Sequence, residues 1–208
     1  MVVLNSMDKT LKDQPILLLA SASPRRKQLL SELGFPVKFL EVRKVDESYD
    51  RCMKPEDVPL YLSYKKAEAY KDCPLKEDEI IVTADTVVIL DDKVLGKPAS
   101  EEDAATMLRT LSGRKHKVVS GVTLMNNAGE KMSFSTETTV DFYNMTDEEI
   151  EFYVRNFHPL DKAGAYGIQE WIGYIGVSGI NGDYYNVMGL PLHNLYRHIK
   201  DFICRTKE

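Results

Sequence analysis

Short apolar runs and amphipathic stretches with a 3.6-residue repeat take turns along this chain, and that alternation predicts an α/β architecture. Residues 16–20 (Ile-Leu-Leu-Leu-Ala) form an unbroken apolar run, read as a buried strand. A helix is expected over 24–33, with Pro24 at its first position and Gly34 as its C-terminal cap. Residues 37–42 read as a second strand, and 44–57 as a polar loop. The spacing predicts a helix over 58–71, with Val58, Tyr61, Leu62, Lys65 and Ala69 near one face. Residues 79–90 are apolar on both faces, as in a central strand. Asp91-Asp92 then turns the chain into a short strand over 93–95. Ser100 opens a helix to about residue 111, with Glu101, Glu102 and Asp103 at its positive end and Ser112-Gly113 as its stop. A hairpin is expected from 117–125 and 131–143 around Asn126-Asn127-Ala128-Gly129. Thr146 and Glu149 form a capping box that opens a helix to about residue 156. The glycine-rich stretch 164–189 is expected to hold short strands near 172–177 and 184–187. Pro191 starts a closing helix with Leu192, Leu195, Ile199 and Phe202 inward.

Composition narrows the class. A length of 208 residues suits one domain, or one domain with two lobes. Residues 1–14 are mixed polar and lack the apolar core of a signal peptide, so a flexible tail is expected ahead of a single domain over 15–208. Nothing approaches the ~18 consecutive apolar residues of a membrane span, so no membrane partner is expected. The three cysteines, Cys52, Cys73 and Cys204, match no zinc or redox spacing; reduced thiols in a cytoplasmic protein are the simplest account. A net charge of −5 argues against a sequence-independent nucleic-acid binder. It leaves a nucleotide substrate open, because a local cationic pocket suffices for that.

Four places carry candidate chemistry. The turn Ser21-Ala22-Ser23-Pro24-Arg25-Arg26 joins a strand to a helix start, and it brings hydroxyls, two guanidinium groups and free helix N–H groups together. Such a turn suits a multiply charged anion such as a phosphate chain, although a Ser-capped helix with two solvated arginines has the same sequence. Asp85 stands inside the most apolar strand, where a carboxylate needs a divalent cation, a lysine or a hydrogen-bonded water, or else backbone amides at a bulge. Lys97 can fold back near it through a hairpin. Of Lys65 and Lys66, only one should point inward. Asp46-Glu47 lies on a polar loop, either solvated or suited to Mg²⁺, which takes one or two carboxylates plus phosphate oxygens. The block Asp161-Lys162-Ala163-Gly164-Ala165-Tyr166-Gly167-Ile168-Gln169 combines glycines that allow close backbone approach with an amide able to read a base edge. No Walker-type phosphate loop, dinucleotide fingerprint, HExxH pair or nucleophile elbow is present.

Together these pieces resemble the Maf family of nucleoside-triphosphate pyrophosphatases. The resemblance covers Leu19 to Arg26, then Ala84-Asp85-Thr86-Val87-Val88, Gly96-Lys97-Pro98 and Leu111-Ser112-Gly113-Arg114. It continues through Asp161 to Gln169 and ends at Gly182 to Leu192, in the family's order over nearly the whole chain. It implies an elongated, twisted mixed sheet flanked by helices, like that of inosine-triphosphate pyrophosphatases, with two lobes around a deep cleft. It also implies hydrolysis of a nucleoside triphosphate to the monophosphate and pyrophosphate, with a divalent cation, Mg²⁺ or Mn²⁺. Carried over to this chain, Asp85 is the catalytic acid/base and a metal ligand, with Glu47 as the second carboxylate near the metal. Ser21, Arg25, Arg26, Lys66 and Lys97 fall on phosphate-handling positions. Arg25, Thr86 and Gln169 fall on positions tied to substrate choice, and the 161–169 block looks like the subgroup acting on dTTP and UTP. The resemblance leaves room for a homodimer. Two other readings stay open: a pyrophosphatase for a modified purine such as 7-methyl-GTP, and a nucleotide-binding regulator of cell division with incidental hydrolysis. One departure stands out. The family usually has glycine after this glutamine, whereas Glu170 and Trp171 follow here, and a bulkier residue is expected to tilt Gln169 or narrow the base pocket.

Overall fold

The structure is a computed structural model and describes residues 14–205. The tail expected over 1–14 therefore lies, except for Gln14, outside the described residues. Among the described residues no helix is long and apolar enough to cross a membrane.

One seven-stranded mixed sheet organises the fold, with helices on its faces. Its centre is β3 (Glu79–Leu90), which alternates apolar residues to both faces and is buried at nearly every position. On one side β3 pairs antiparallel with β5 (Lys115–Met125) in continuous register from Ile81↔Met125 to Ile89↔Lys117. β6 (Lys131–Phe142) and β7 (Val177–Asn181) follow outward. On the other side β3 has two partners. β1 (Ile16–Leu19) pairs parallel only as far as Leu19↔Val82, and itself carries β2 (Val37–Phe39). β4 (Lys93–Leu95) pairs antiparallel only from Val88↔Leu95. The edge of β3 between these partners is left open, and the cavity described below lies along it.

The core is divided at the same level. One face buries Ile80, Val82 and Ala84 in one apolar cluster and Val88 and Leu90 in another. The opposite face likewise separates Ile81 from Val87 and Ile89. Between the halves runs a buried polar belt of Thr83, Ser120, Thr123, Thr138 and Asn186. Most of its polar atoms bond one another or nearby backbone, with Asn186 Oδ1 left without a partner among the described residues: Asn186 Nδ2 donates to the Val118 carbonyl at 3.0 Å, and Thr83 Oγ1 donates to the Ser63 carbonyl at 2.7 Å.

Most expected elements form where the pattern puts them. α1 (Pro24–Ser31), α3 (Glu101–Leu111) and α4 (Asp147–Phe157) start at Ser23, Ser100 and Thr146, and the Thr146–Glu149 capping box closes from both sides. Asp91 and Asp92 both take positive φ (49° and 58°), the geometry of a tight two-residue hairpin. α7 (Leu192–Arg205) buries Leu195, Ile199 and Phe202.

Three expectations are corrected. β2 stops at Phe39 rather than reaching residue 42, because it is an edge strand with β1 as its partner and β1 is itself short. The strands expected near 172–177 and 184–187 are instead helices, α5 (Trp171–Gly176) and α6 (Tyr184–Met188). Local bonds decide this: Gly173 N–H donates to the Glu170 carbonyl at 2.9 Å, and the Asp183 side chain caps Tyr185 N–H at 2.8 Å. Finally, α2 (Val58–Glu68) turns Val58, Leu62, Ser63 and Ala67 inward, whereas Tyr61 is exposed and Lys65 reaches out to Asp46 at 3.3 Å.

His116, on β5, is buried with its Nε2 2.7 Å from the Tyr166 hydroxyl, and burial lowers its pKa from 6.5 to about 4. The unfolded chain therefore takes up this proton first. The stability His116 contributes is complete above about pH 6.5 and is lost as the pH falls towards about 4. Urea unfolding at pH 7.5 and 4.5 should show the parent losing about 2–3 kcal/mol more than His116→Gln between the two conditions. Equal losses would show that this imidazole titrates normally in the fold.

Candidate active site

The turn between β1 and α1 is built by its own hydroxyls. Ser21 is buried, and its Oγ accepts from Ser23 N–H at 3.2 Å; Ser23 Oγ in turn caps Arg26 N–H at 3.4 Å. With Pro24 at the first helical position, the turn projects Arg25 and Arg26 from the first turn of α1. Arg26 lies across the open edge of β3. Its Nη1 donates to the Ala84 carbonyl at 2.8 Å, its Nη2 to Thr86 Oγ1 at 2.9 Å and its Nε to the Gly189 carbonyl at 2.8 Å. All three acceptors are neutral. Burial pulls the Arg26 pKa down, opposed by the Asp85 carboxylate, yet a guanidinium stays protonated. The result is a fixed positive charge that its own hydrogen bonds do not neutralise.

Asp85 follows Ala84 on the face covered by α2. Its Oδ1 is 2.6 Å from Lys66 Nζ, and the same ammonium is 3.0 Å from Glu47 Oε1. Only 14% of the Asp85 side chain and 19% of the Lys66 side chain are exposed, so this pair is largely shielded from water, whereas Glu47 is 60% exposed. The strand register is regular through Asp85↔Gly121, so a bulge does not account for the carboxylate. Gly121 explains how Lys66 gets there: a Cβ at 121 would overlap the backbone of Pro59 and Leu60. The bare glycine lets α2 sit close on the sheet, and two turns further along Lys66 meets Asp85.

The third wall is the stretch 161–170. Gly164 and Ala165 both take positive φ (68° and 59°), and a Cβ on Gly164 would press on Val88. A left-handed alanine costs about 1–3 kcal/mol, so the surroundings must hold this conformation in place. Gly164 N–H donates to the Gly96 carbonyl at 3.0 Å, which ties the stretch to the loop carrying Lys97. Asp161 lies between two cations, 2.7 Å from Lys162 Nζ and 3.5 Å from Arg25 Nη2. Burial raises the Asp161 carboxyl pKa, but Lys162 and Arg25 together outweigh it and hold the value below normal. Gln169 Oε1 is buried without a hydrogen-bond partner among the described residues, and its side chain lines the cavity.

The walls enclose a cleft of two connected hollows, of about 430 and 280 Å³. The larger is lined by Asp85, Glu47, Arg25, Arg26, Lys66, Lys97, Thr86 and Gln169, so it gathers every residue that the family resemblance singled out except Ser21, whereas Asp46 turns outward to Lys65. Ser21 lines the smaller hollow, which shares Arg25, Arg26, Glu47, Lys66 and Lys97 with the larger. Around the larger hollow, basic side chains outnumber carboxylates five to three, in a chain whose net charge is −5. The cleft is therefore locally cationic, as a polyphosphate requires. Among the described residues no group of three or more His, Cys, Asp or Glu side chains could hold a metal ion alone. Asp85 and Glu47 nevertheless converge on one cationic centre, Lys66 Nζ. Two hard oxygen donors around a spot already occupied by positive charge fit Mg²⁺ or Mn²⁺ that completes its shell from phosphate oxygens and water.

Sequence reasoning passed over three contributors. Lys162 and Asp161 were read only as part of a glycine-rich block, and Tyr153 was not singled out within the helix expected to about residue 156. Tyr153 is fully buried, and its hydroxyl accepts from Gly167 N–H at 3.0 Å while donating to the Glu170 carboxylate. Burial first, and then Glu170, raises its pKa. Glu170, expected to narrow a base pocket, is not among the residues that line the cavity: its carboxylate turns to Tyr153 and Lys162 instead. The signal for this was Glu170 itself, a carboxylate inside an otherwise apolar and glycine-rich stretch.

Comparison with known proteins agrees with the geometry. A family model described as "Maf-like protein" matches residues 16–202. A dTTP/UTP pyrophosphatase of Phocaeicola vulgatus is 50% identical over 184 residues, covering 88% of this chain and 94% of that protein. A protein of the same name from Porphyromonas gingivalis is 50% identical over 187 residues, 89% of this chain and 94% of its own length. One from Christiangramia forsetii is 42% identical over 197 residues, 95% and 98% respectively. Among solved structures, the Ham1 protein of Staphylococcus aureus superposes with a TM-score of 0.54 at 14% identity, over 89% of this chain and 98% of that one. A HAM1 protein from Coxiella burnetii gives 0.50 at 16% identity, over 90% and 100%. At such identities these two matches speak for the fold alone.

Proposed function

Because the chain belongs to the Maf family, we propose that it hydrolyses dTTP and UTP to the nucleoside monophosphate and pyrophosphate, as its relatives' names indicate for them. The observation that carries the reading is Asp85: a carboxylate on the open edge of the central strand, facing a cleft lined with cations. Binding alone would not need a carboxylate beside the phosphates.

In this reading the triphosphate lies against Arg25, Arg26, Lys66 and Lys97, with the base towards Thr86 and Gln169. Water attacks the α-phosphorus, the bond to the bridging oxygen breaks and pyrophosphate leaves. Asp85 orients that water and accepts its proton. Arg26 is locked by three hydrogen bonds, so its charge is in place before the reaction and needs no rearrangement to meet charge building on the leaving group. Arg25 is held more loosely, by Asp161 at 3.5 Å, and is free to turn towards phosphate. Ser21 braces the turn that aims both arginines. Asp85 and Glu47 would hold a divalent cation, which when bound neutralises phosphate oxygens as a Lewis acid. Gln169 offers an unpaired amide oxygen to an N–H on the base edge. The three free thiols fit a reducing cytoplasm.

Pyrophosphate release with Mg²⁺ across a panel of normal and modified triphosphates tests this reading. UTP and dTTP should be the preferred substrates. Preference for 7-methyl-GTP would move the enzyme to a purine pocket, and nucleotide binding without pyrophosphate release would make it a regulator. Gln169→Ala should lower the ratio of UTP to GTP turnover by about tenfold or more, leaving metal dependence as it was. An unchanged ratio would take base selection away from this amide.

A further inference from the structure

Glu170 is the one carboxylate of the 161–170 stretch that faces away from the cleft, and it has two partners there. One oxygen accepts from the Tyr153 hydroxyl; the other is 3.1 Å from Lys162 Nζ. Tyr153 stands on α4, outside the loop, while Lys162 begins the loop and Glu170 ends it. Between them the Tyr153 hydroxyl also takes Gly167 N–H at 3.0 Å. The carboxylate packs so closely on Gly167 that a Cβ there would lie 2.7 Å from the Glu170 carboxyl carbon. One side chain thus fixes the start, middle and end of the loop against a rigid helix.

We propose that Glu170 is a positioning residue for base selection: by clamping Tyr153 and Lys162 from behind, it sets the backbone that presents Gln169 to the base. The proposal rests on the reading of Gln169 as the base-selecting side chain. Two further contacts give it reach. Tyr174 on α5 donates to the Gln169 carbonyl at 2.8 Å, so the peptide next to Glu170 is held on that side as well. Lys162, held by Glu170, also holds Asp161 at 2.7 Å, and Asp161 meets Arg25 at 3.5 Å. The clamp therefore connects the base end of the cleft to a phosphate-end guanidinium through alternating charges. Gln169 needs such support, because a buried amide oxygen with no protein partner discriminates only if its position is fixed.

The test measures kcat and KM for UTP, dTTP and GTP in the whole protein and in Glu170→Gly, Glu170→Gln and Tyr153→Phe. Glu170→Gly should raise KM for UTP about tenfold and lower the UTP-to-GTP ratio of kcat/KM, with kcat moved less than about threefold. Glu170→Gln keeps an acceptor for Tyr153 and should recover most of the ratio. Tyr153→Phe should shift KM and ratio in the same direction as Glu170→Gly, and the double variant Glu170→Gly/Tyr153→Phe should fall short of the summed effects. A Glu170→Gly enzyme with a lower melting temperature or kcat but unchanged KM and ratio would overturn the proposal, since a merely structural prop behaves that way. If Glu170→Gly does not fold, unchanged KM and ratio in Tyr153→Phe overturns it equally. A parent enzyme that prefers another base would defeat the substrate reading alone; KM for that base must then still rise in Tyr153→Phe and Glu170→Gly.

Discussion

Asp85→Asn should lower kcat for pyrophosphate release by about 10²-fold or more while the protein stays folded and still binds nucleotide. The two halves of this expectation have separate grounds. Asparagine keeps the shape of the side chain and an amide oxygen that Lys66 Nζ, 2.6 Å away, can still meet. Lys66 also keeps Glu47 at 3.0 Å, so the substitution does not strand a shielded ammonium, the situation in which broken ion pairs become strongly destabilising. The catalytic half is different. An amide is not a base at neutral pH, and it is a poorer ligand for a divalent cation than a carboxylate. Proton acceptance and charge placement both fail at one atom, and the loss should appear in kcat rather than in nucleotide affinity. Steady-state kinetics with Mg²⁺, nucleotide titration and a melting curve on the same preparation separate the effects. Turnover near the parent rate would remove Asp85 from the chemistry and with it the observation on which the functional reading rests.

The sequence made the central strand legible because β3 is largely apolar on both faces after Glu79, and a carboxylate in its middle stands out against such a background. The same contrast marked Asp85 for attention. Helix starts were legible where a side chain caps the backbone within three residues, as at Ser100 and Thr146, since that information is local. What escaped is what depends on distance along the chain. Arg26 reaches Gly189, 163 residues away, and nothing near either residue announces the contact. Gly121 reads as a weak point in a strand until α2 is seen resting on it. The Lys65/Lys66 choice needed the helix phase, which was misjudged: Tyr61 was taken as an inward position although its ring is exposed. In α5 and α6, aromatic and β-branched residues gave a strand-like composition, but turns this short obey their caps and glycines rather than side-chain propensity. The Glu170 clamp belongs to the same class of long-range fact. Residue 170 was visible as unusual, but the direction of its side chain is set by Tyr153, on a different helix.

Arg26 gives the second large expected effect, and it bears on how fold and site are joined. Its guanidinium fills the place of a missing strand: the Ala84 carbonyl, which neither β1 nor β4 covers, is satisfied by Nη1. Through Nε it also fastens the Gly189 carbonyl at the end of α6, and through Nη2 it orients Thr86. Hydrogen bonds made by a charged group contribute about 1.5–3 kcal/mol each, reduced here because the site is only part-buried. Arg26→Ala should therefore destabilise the protein by about 3–5 kcal/mol: the Ala84 carbonyl loses its side-chain partner, and the Gly189 carbonyl and Thr86 hydroxyl lose their charged donor and keep only each other and Ser120 Oγ. Arg26→Lys is the sharper experiment. It preserves the positive charge but has no planar fork, so one ammonium cannot serve three acceptors that lie in different directions. If charge alone matters, Arg26→Lys will match the parent in kcat/KM and in urea unfolding. If the fork matters, Arg26→Lys will lose about 2 kcal/mol of stability, and kcat/KM will fall about tenfold or more as Thr86 and the phosphate wall lose their fixed geometry. The second outcome is expected, because an edge left open along a cleft must still have its carbonyls satisfied, and here a cation that lines the cleft satisfies that of Ala84.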